Sequence, residues 1–135
     1  MSATPQQMLD CAKEICAIGE VETTYRATIS RAYYAAYHAA LEFHARLPVP
    51  GSVGVATGYH TQLIAQLSTP GIGKKNKKFF VSQAMAKSLR PLVDARVDAD
   101  YKLGVTINKE LALSIVNQAS EIVAQAAKYT GITAD

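Results

Sequence analysis

The side chains best suited to chemistry lie in one eleven-residue segment, residues 30–40, which reads Ser-Arg-Ala-Tyr-Tyr-Ala-Ala-Tyr-His-Ala-Ala. The segment contains three of the seven tyrosines and one of the three histidines, and neither Gly nor Pro interrupts it. In a helix, Arg31, Tyr34 and His38 fall at positions i, i+3 and i+7 and share one face. Because arginine keeps its charge and histidine exchanges a proton near neutral pH, this spacing predicts a site that binds a phosphate and moves a proton.

Metal-free cleavage of RNA is a reaction that such a pair could support. It needs a base for the 2′-hydroxyl, an acid for the leaving group and a cation for the charge that develops on the phosphoryl oxygens. His38 would be the base or the acid, and Arg31 would stabilise the charge. The alternative is structural: Arg31 would pair with Asp98 or Asp100 across a helical bundle, and His38 would be a hydrogen-bonded core residue.

The tyrosines of this segment form two stripes. Tyr34 lies on the face of Arg31 and His38, and Tyr33 and Tyr37 lie beside it. Tyrosine rings can stack nucleobases, and we assign that role to Tyr34. Tyrosines on a central helix also serve as core or interface residues, and this is the role we expect for Tyr33 and Tyr37.

Positive charge is concentrated in the middle of the chain. Residues 43–93 contain no Asp or Glu but seven Lys and Arg residues, although the net charge of the whole chain is only +3. A local basic field of this kind predicts an anionic partner such as a nucleic acid. We assign the contacts with phosphate to Lys74, Lys75, Lys77 and Lys78. The alternative is a solvated lysine loop that only aids solubility.

The periodicity of the apolar residues and the residues typical of helix ends predict four long helices and a short one. In chain order they span residues 5–18, 22–47, 59–67, 77–101 and 107–130. Thr4 and Gln7 form a capping box at the first helix. Pro91 is expected to kink or split the fourth helix. Thr106 is expected to cap the last helix, and Gly131 to end it.

No segment alternates as a strand does, so we predict an all-α fold: an antiparallel bundle of four or five helices in one domain, residues 1–135. Neither a membrane span nor a signal peptide is visible, and we expect a cytoplasmic protein. We expect no cofactor and no metal site, because the histidines lack the spacing of metal ligands. Cys11 and Cys16 are expected to be buried, reduced thiols, and His44 a solvated helix residue.

Three parts of the chain together resemble the HEPN superfamily, in particular its small stand-alone members. They are the tyrosine–histidine helix of residues 30–40, His60 at the start of a short helix, and the Arg-Val-Asp-Ala-Asp-Tyr run of residues 96–101 ahead of a Thr-capped final helix. Their order and spacing cover nearly the whole chain. The resemblance implies a homodimeric helical bundle of a toxin–antitoxin or defence system, with a nucleotidyltransferase or an antitoxin as its partner protein.

The same resemblance implies a site for RNA or nucleotide, because many HEPN proteins are metal-independent ribonucleases. Their motif is an Arg followed, after four to six residues, by a His. By position it corresponds here to residues 96–101, which lack a His and have Val97 where a polar residue usually follows the Arg, so the motif is degraded. Arg31 and His38 satisfy the loose spacing earlier in the chain. We expect Arg96 to contact nucleic acid. Supporting structural roles are expected for Tyr33, Tyr37, His60, Asp98, Asp100 and Tyr101.

A function of a different class is the alternative. The chain would then be a non-catalytic helical interaction protein that pairs with or neutralises a nucleotidyltransferase or a nuclease. The sequence supports both functions, and they are distinguished by whether the chain alone acts on RNA.

Overall fold

The structure, a computed structural model, describes residues 3–130. In chain order its helices are α1 (Pro5–Ile18), α2 (Glu22–Ala45), α3 (Tyr59–Ser68), α4 (Lys78–Tyr101) and α5 (Lys109–Thr130). No strand occurs within residues 3–130. The predicted all-α fold with up to five helices is therefore confirmed. None of these five helices is long and apolar enough to cross a membrane.

Local chemistry fixes both ends of α1. The Thr4 hydroxyl accepts a hydrogen bond from the Gln7 N–H at 3.1 Å, and the Gln7 side chain accepts one from the Thr4 N–H at 2.9 Å, which completes the predicted capping box. At the other end, the Gly19 N–H donates to the Ile15 carbonyl at 3.0 Å. A Cβ atom at Gly19 would collide with the Thr24 side chain, so glycine is what allows α2 to begin so close to α1.

α2 is the central helix, and it contacts all four of the others. Its inward surface is built largely from alanines, which let neighbouring helices approach closely, and Tyr33 is fully buried among them. The buried alanines are Ala32, Ala35, Ala36, Ala39 and Ala40. The apolar surface of residues 29–41 is wide enough to suggest a dimer interface, but the other helices of the same chain cover most of it. The homodimer itself stays a prediction, without this reason for it.

A buried arginine joins the start of α2 to the end of α4. The Arg26 guanidinium donates to the carbonyls of Asp98 and Ala99 at 3.0 Å and to that of Lys102 at 3.2 Å. It also donates to Leu103 at 3.3 Å and to Val105, both in the connection that follows α4. These carbonyls lie at and just beyond the C-terminus of α4, where few backbone N–H groups remain to bind them, although the Asp98 carbonyl also accepts the Lys102 N–H at 3.2 Å. Arg26 therefore acts as a C-cap supplied by another helix.

Glu22 extends this junction to the start of α5. Its carboxylate accepts the Ile107 N–H at 2.8 Å and lies 3.4 Å from the Arg26 Nε. The hydrogen bond from Ile107 is the main cause that lowers the pKa of Glu22. α4 therefore runs antiparallel to α2, and α5 begins at the end of the bundle where α2 begins.

Two predicted features of α4 and α5 are corrected. α4 is one helix that continues through Pro91, so of the predicted kink or split the split is absent. The cap of α5 is Asn108, whose side chain accepts the Leu111 N–H at 2.8 Å, and not Thr106. The predicted end at Gly131 lies outside the described residues.

The connection between α2 and α3 is tied to the helices on both sides. The Gly51 N–H donates to the His44 Nε2 at 3.0 Å, and a Cβ atom at Gly51 would collide with the Gln66 backbone of α3. His44 is half-buried rather than solvated as predicted, and burial lowers its pKa. Cys16 is buried as expected, whereas Cys11 is only half-buried, and neither forms a disulfide.

Candidate functional site

Seven side chains from three helices meet in one place, which we call the tyrosine–histidine cluster. Its members are Tyr33, Tyr34, Tyr37 and His38 of α2, His60 of α3, and Arg96 and Tyr101 of α4. Within this set Tyr33 is fully buried, while Tyr101 is 68% exposed and His38 is also exposed. The cluster thus reaches from the core to the surface.

Arg96 is the centre of the hydrogen-bond network. Its Nη2 donates to the hydroxyls of Tyr34 at 2.9 Å and Tyr101 at 3.2 Å, and its Nε donates to Asp100 at 3.1 Å. The guanidinium carbon lies 5.4 Å from the Tyr34 ring centroid and 5.2 Å from that of Tyr101, within cation–π range. Its Nη1 makes no hydrogen bond to any residue in the range 3–130. Arg96 is therefore held in place with one edge able to bind an anion.

The two predicted aspartates separate. Asp100 accepts from Arg96 and also from the Ser30 hydroxyl, at 3.2 Å, which ties α4 to α2. Asp98 pairs instead with Lys102 at 3.5 Å, outside the cluster. Asp100 is therefore the aspartate of this pair that contacts an arginine, and that arginine is Arg96 and not Arg31. Sequence reasoning missed Ser30 as a partner.

His60 is held by the most buried tyrosine. The Tyr33 hydroxyl and the His60 Nδ1 are hydrogen-bonded. Burial raises the pKa of Tyr33, so this phenol keeps its proton. The described residues offer that proton no other acceptor, so Tyr33 donates to Nδ1 and a neutral His60 carries its own proton on Nε2. Burial, with the charge of Arg96 as a second cause, lowers the pKa of His60, which favours this neutral form.

The second imidazole, that of His38, contacts a tyrosine ring that His60 also contacts. The Tyr37 ring centroid is 4.8 Å from that of His60 and 5.2 Å from that of His38. His38 is also 6.3 Å from the Tyr34 ring, and it makes no hydrogen bond to any described residue. Burial raises the pKa of Tyr37, which therefore stays neutral. His38 is exposed, and no hydrogen bond from a described residue occupies either of its ring nitrogens.

Arg31 is not brought into this cluster. Its side chain is exposed, and it makes no hydrogen bond or ion pair within the described part of the chain. The cation that contacts the tyrosines is Arg96 instead. A catalytic role for Arg31 stays a prediction, without a contact that places it beside His38.

The predicted lysines lie at the far end of α4. Lys74, Lys75 and Lys77 precede the helix, and Lys78 is its first residue. Because Arg96 follows Lys78 by eighteen residues and an α-helix rises 1.5 Å per residue, the two are separated by about 27 Å along the axis. Within residues 3–130, no group of three or more His, Cys, Asp or Glu side chains could hold a metal ion.

Comparisons of the chain with protein-family models, with curated proteins and with solved structures found no match.

Proposed function

We propose that the chain is a HEPN-like component of a toxin–antitoxin or defence system, and that its tyrosine–histidine cluster binds RNA. The observation that carries the proposal is the convergence of Arg96, the exposed Tyr101 ring and two imidazoles from three helices. Tyr101 offers an open face for a nucleobase, and base–aromatic stacking contributes about 1–3 kcal/mol per base. The Nη1 edge of Arg96 supplies a donor for a phosphate beside the stacked base.

Residues of the same cluster would cleave the bound RNA without a metal ion. His38 accepts the proton of the 2′-hydroxyl, the 2′-oxygen bonds to phosphorus, and the 5′-oxygen leaves and takes a proton from water. Arg96 and the Nε2–H of His60 stabilise the charge on the phosphoryl oxygens. The products are a 2′,3′-cyclic phosphate and a 5′-hydroxyl. Arg96 takes the role that the sequence had suggested for Arg31.

Binding and cleavage are tested with a fluorescent single-stranded RNA in the presence of EDTA. We expect Tyr101→Ala to weaken binding about tenfold, which is the loss of one stacked base. His38→Ala should abolish cleavage while binding stays within threefold. Arg31→Ala, an exposed arginine on the same helix, is the matched control and should leave both unchanged. The proposal fails if the wild-type chain does not bind RNA, and the role of Arg96 fails if Arg31→Ala abolishes cleavage.

A second candidate function is the non-catalytic partner of a nucleotidyltransferase or a nuclease. Exposed apolar side chains at one end of the bundle favour this function. At this end Glu22 and Arg26 join α2 to the connection between α4 and α5. Ile18 is 82%, Val21 59% and Leu103 78% exposed there. Growth arrest when the chain is expressed alone supports the first function. Rescue of cells from a toxic partner, lost in Leu103→Ser, supports the second.

The homodimer that the resemblance implies belongs to the same proposal. Sedimentation equilibrium of the purified chain tests it, with a mass of about twice 14.5 kDa as the expected result. A monomer at micromolar concentration contradicts it.

A further inference from the structure

A second group of side chains, five lysines and one tyrosine, lies at the opposite end of the bundle. We call it the lysine end: Lys74, Lys75, Lys77, Lys78, Lys128 and Tyr129. The Nζ atoms of Lys77 and Lys128 lie 5.9 Å and 5.3 Å from the centroid of the Tyr129 ring. The lysine end combines positive charge with an aromatic ring, as the tyrosine–histidine cluster does.

α3 connects the two groups. Its second residue, His60, belongs to the tyrosine–histidine cluster, and its last turn is bound to the beginning of α4. There the Ser82 hydroxyl donates to the Leu67 carbonyl at 2.7 Å, and the Gln83 side chain donates to the Ser68 carbonyl at 3.2 Å. The surface of α3 therefore leads from the cluster toward the lysine end, alongside α4.

This surface lies within a part of the chain that has no negative charge. α3 and the connections on both sides of it fall within residues 43–93, which contain no Asp or Glu. Glu121 of α5 lines the groove between α4 and α5, and α3 makes no contact with α5. A polyanion that follows α3 thus meets cations at both ends and no carboxylate from the segment beneath it.

We infer that the ligand is a single-stranded RNA of about eight nucleotides or more, which lies along α3 and contacts the cluster and the lysine end together. The inference rests on the proposed function, because it assumes that the cluster binds RNA. The length follows from the separation of about 27 Å along α4 and a rise of about 3.4 Å per nucleotide in a stacked strand. A single strand is required because the exposed Tyr101 ring of the cluster would stack on an unpaired base.

The test compares the salt dependence of binding for RNAs of four and twelve nucleotides. A lysine–phosphate contact on a single strand contributes about 0.7 to the slope of log affinity against log salt. The Lys74→Gln/Lys75→Gln variant should therefore lower the slope for the twelve-nucleotide RNA by about 1.4, which is about sevenfold in affinity between 50 and 200 mM salt. Binding of the four-nucleotide RNA should not change.

The matched control is Lys13→Gln/Lys109→Gln, which removes the same charge from α1 and from the first residue of α5. α3, along which the inferred path runs, contacts neither α1 nor α5, so this pair lies off that path. An equal loss of slope in the control would overturn the inference, because it would reflect the net charge alone. Equal affinity of the two RNA lengths would also overturn it and leave the proposed function standing. If neither RNA binds, the proposed function itself has failed.

Discussion

Replacing Arg26 with methionine is expected to cost the fold about 3–5 kcal/mol. The side chain is 7% exposed, and its guanidinium serves five backbone carbonyls as well as Glu22. A hydrogen bond to a charged group contributes about 1.5–3 kcal/mol. The total loss is smaller than that of five such hydrogen bonds. Three of the carbonyls share one nitrogen of Arg26, and the carbonyls in the exposed turn are hydrated when Arg26 is removed. The expected value corresponds to about two such bonds, because Glu22 is exposed and its ion pair with Arg26 adds little.

Urea unfolding at pH 7 measures this loss. Arg26→Met should lower the midpoint without changing the slope m, since the same surface is exposed on unfolding. Arg31→Met is the matched control, because Arg31 lies five residues further along α2, is exposed and makes no hydrogen bond to a described residue; it should change the free energy by less than about 0.5 kcal/mol. A loss of less than 1 kcal/mol for Arg26→Met would refute its role as the cap of α4.

Two further predictions concern stability. Asn108→Ala should cost about 1 kcal/mol as the loss of an N-cap, and Thr106→Ala less than about 0.5 kcal/mol; the reverse order would contradict the assignment of the cap. Burial lowers the pKa of both His44 and His60, so below pH 6.5 the unfolded chain takes up protons that the folded chain does not. Stability measured by urea unfolding should therefore fall from pH 7 to pH 5.5, and His60→Gln should make this dependence shallower. An unchanged stability across this range would contradict the pKa directions.

Helix ends were predictable where their chemistry is local, and not where it depends on packing. The capping box of Thr4 and Gln7 involves only neighbours in the sequence. At α5 the local signal was misleading, since both Thr106 and Asn108 are suitable caps. Ile107 is buried, and its N–H is taken by Glu22 of another helix, which leaves Asn108 as the cap. The contact between Glu22 and Ile107 decides which residue is the cap. These two residues are 85 positions apart in the chain, so no short sequence pattern includes both.

The register of α5 could be predicted only in part. Apolar periodicity places Leu111, Ile115 and Ile122 on one stripe of the helix and Leu113 beside it. Ile115 and Ile122 are buried, but Leu111 and Leu113 are exposed. Alanines take the inward positions instead, because α5 packs closely on the alanine-rich surface of α2. The buried alanines are Ala112, Ala119 and Ala126. Close packing of α5 on α2 therefore decides which side chains of α5 are buried more than the hydrophobicity of each side chain does.

The candidate site was predictable as a set of residue types but not as an arrangement. Helical spacing correctly grouped Tyr34 with His38, and the two rings are 6.3 Å apart. Spacing also favoured Arg31 as the nearby cation, whereas Arg96 fills that place from α4. Which arginine faces the tyrosines depends on how α4 crosses α2, and that crossing is set in part by Arg26. The i, i+4 spacing of Glu22 and Arg26 was a signal for this junction that the sequence reasoning did not use.

The central claim, that the tyrosine–histidine cluster binds RNA, is tested most directly by NMR of the histidine rings. The chain has only three histidines, so the ring signals of His38, His44 and His60 can be followed individually. Titration with a four-nucleotide single-stranded RNA should shift the signals of His38 and His60 along one saturable curve. His44, whose Nε2 is bound to Gly51 in the connection before α3, should not shift and serves as the internal control. Saturating RNA that leaves His38 and His60 unshifted, or that shifts only His44, would contradict the claim.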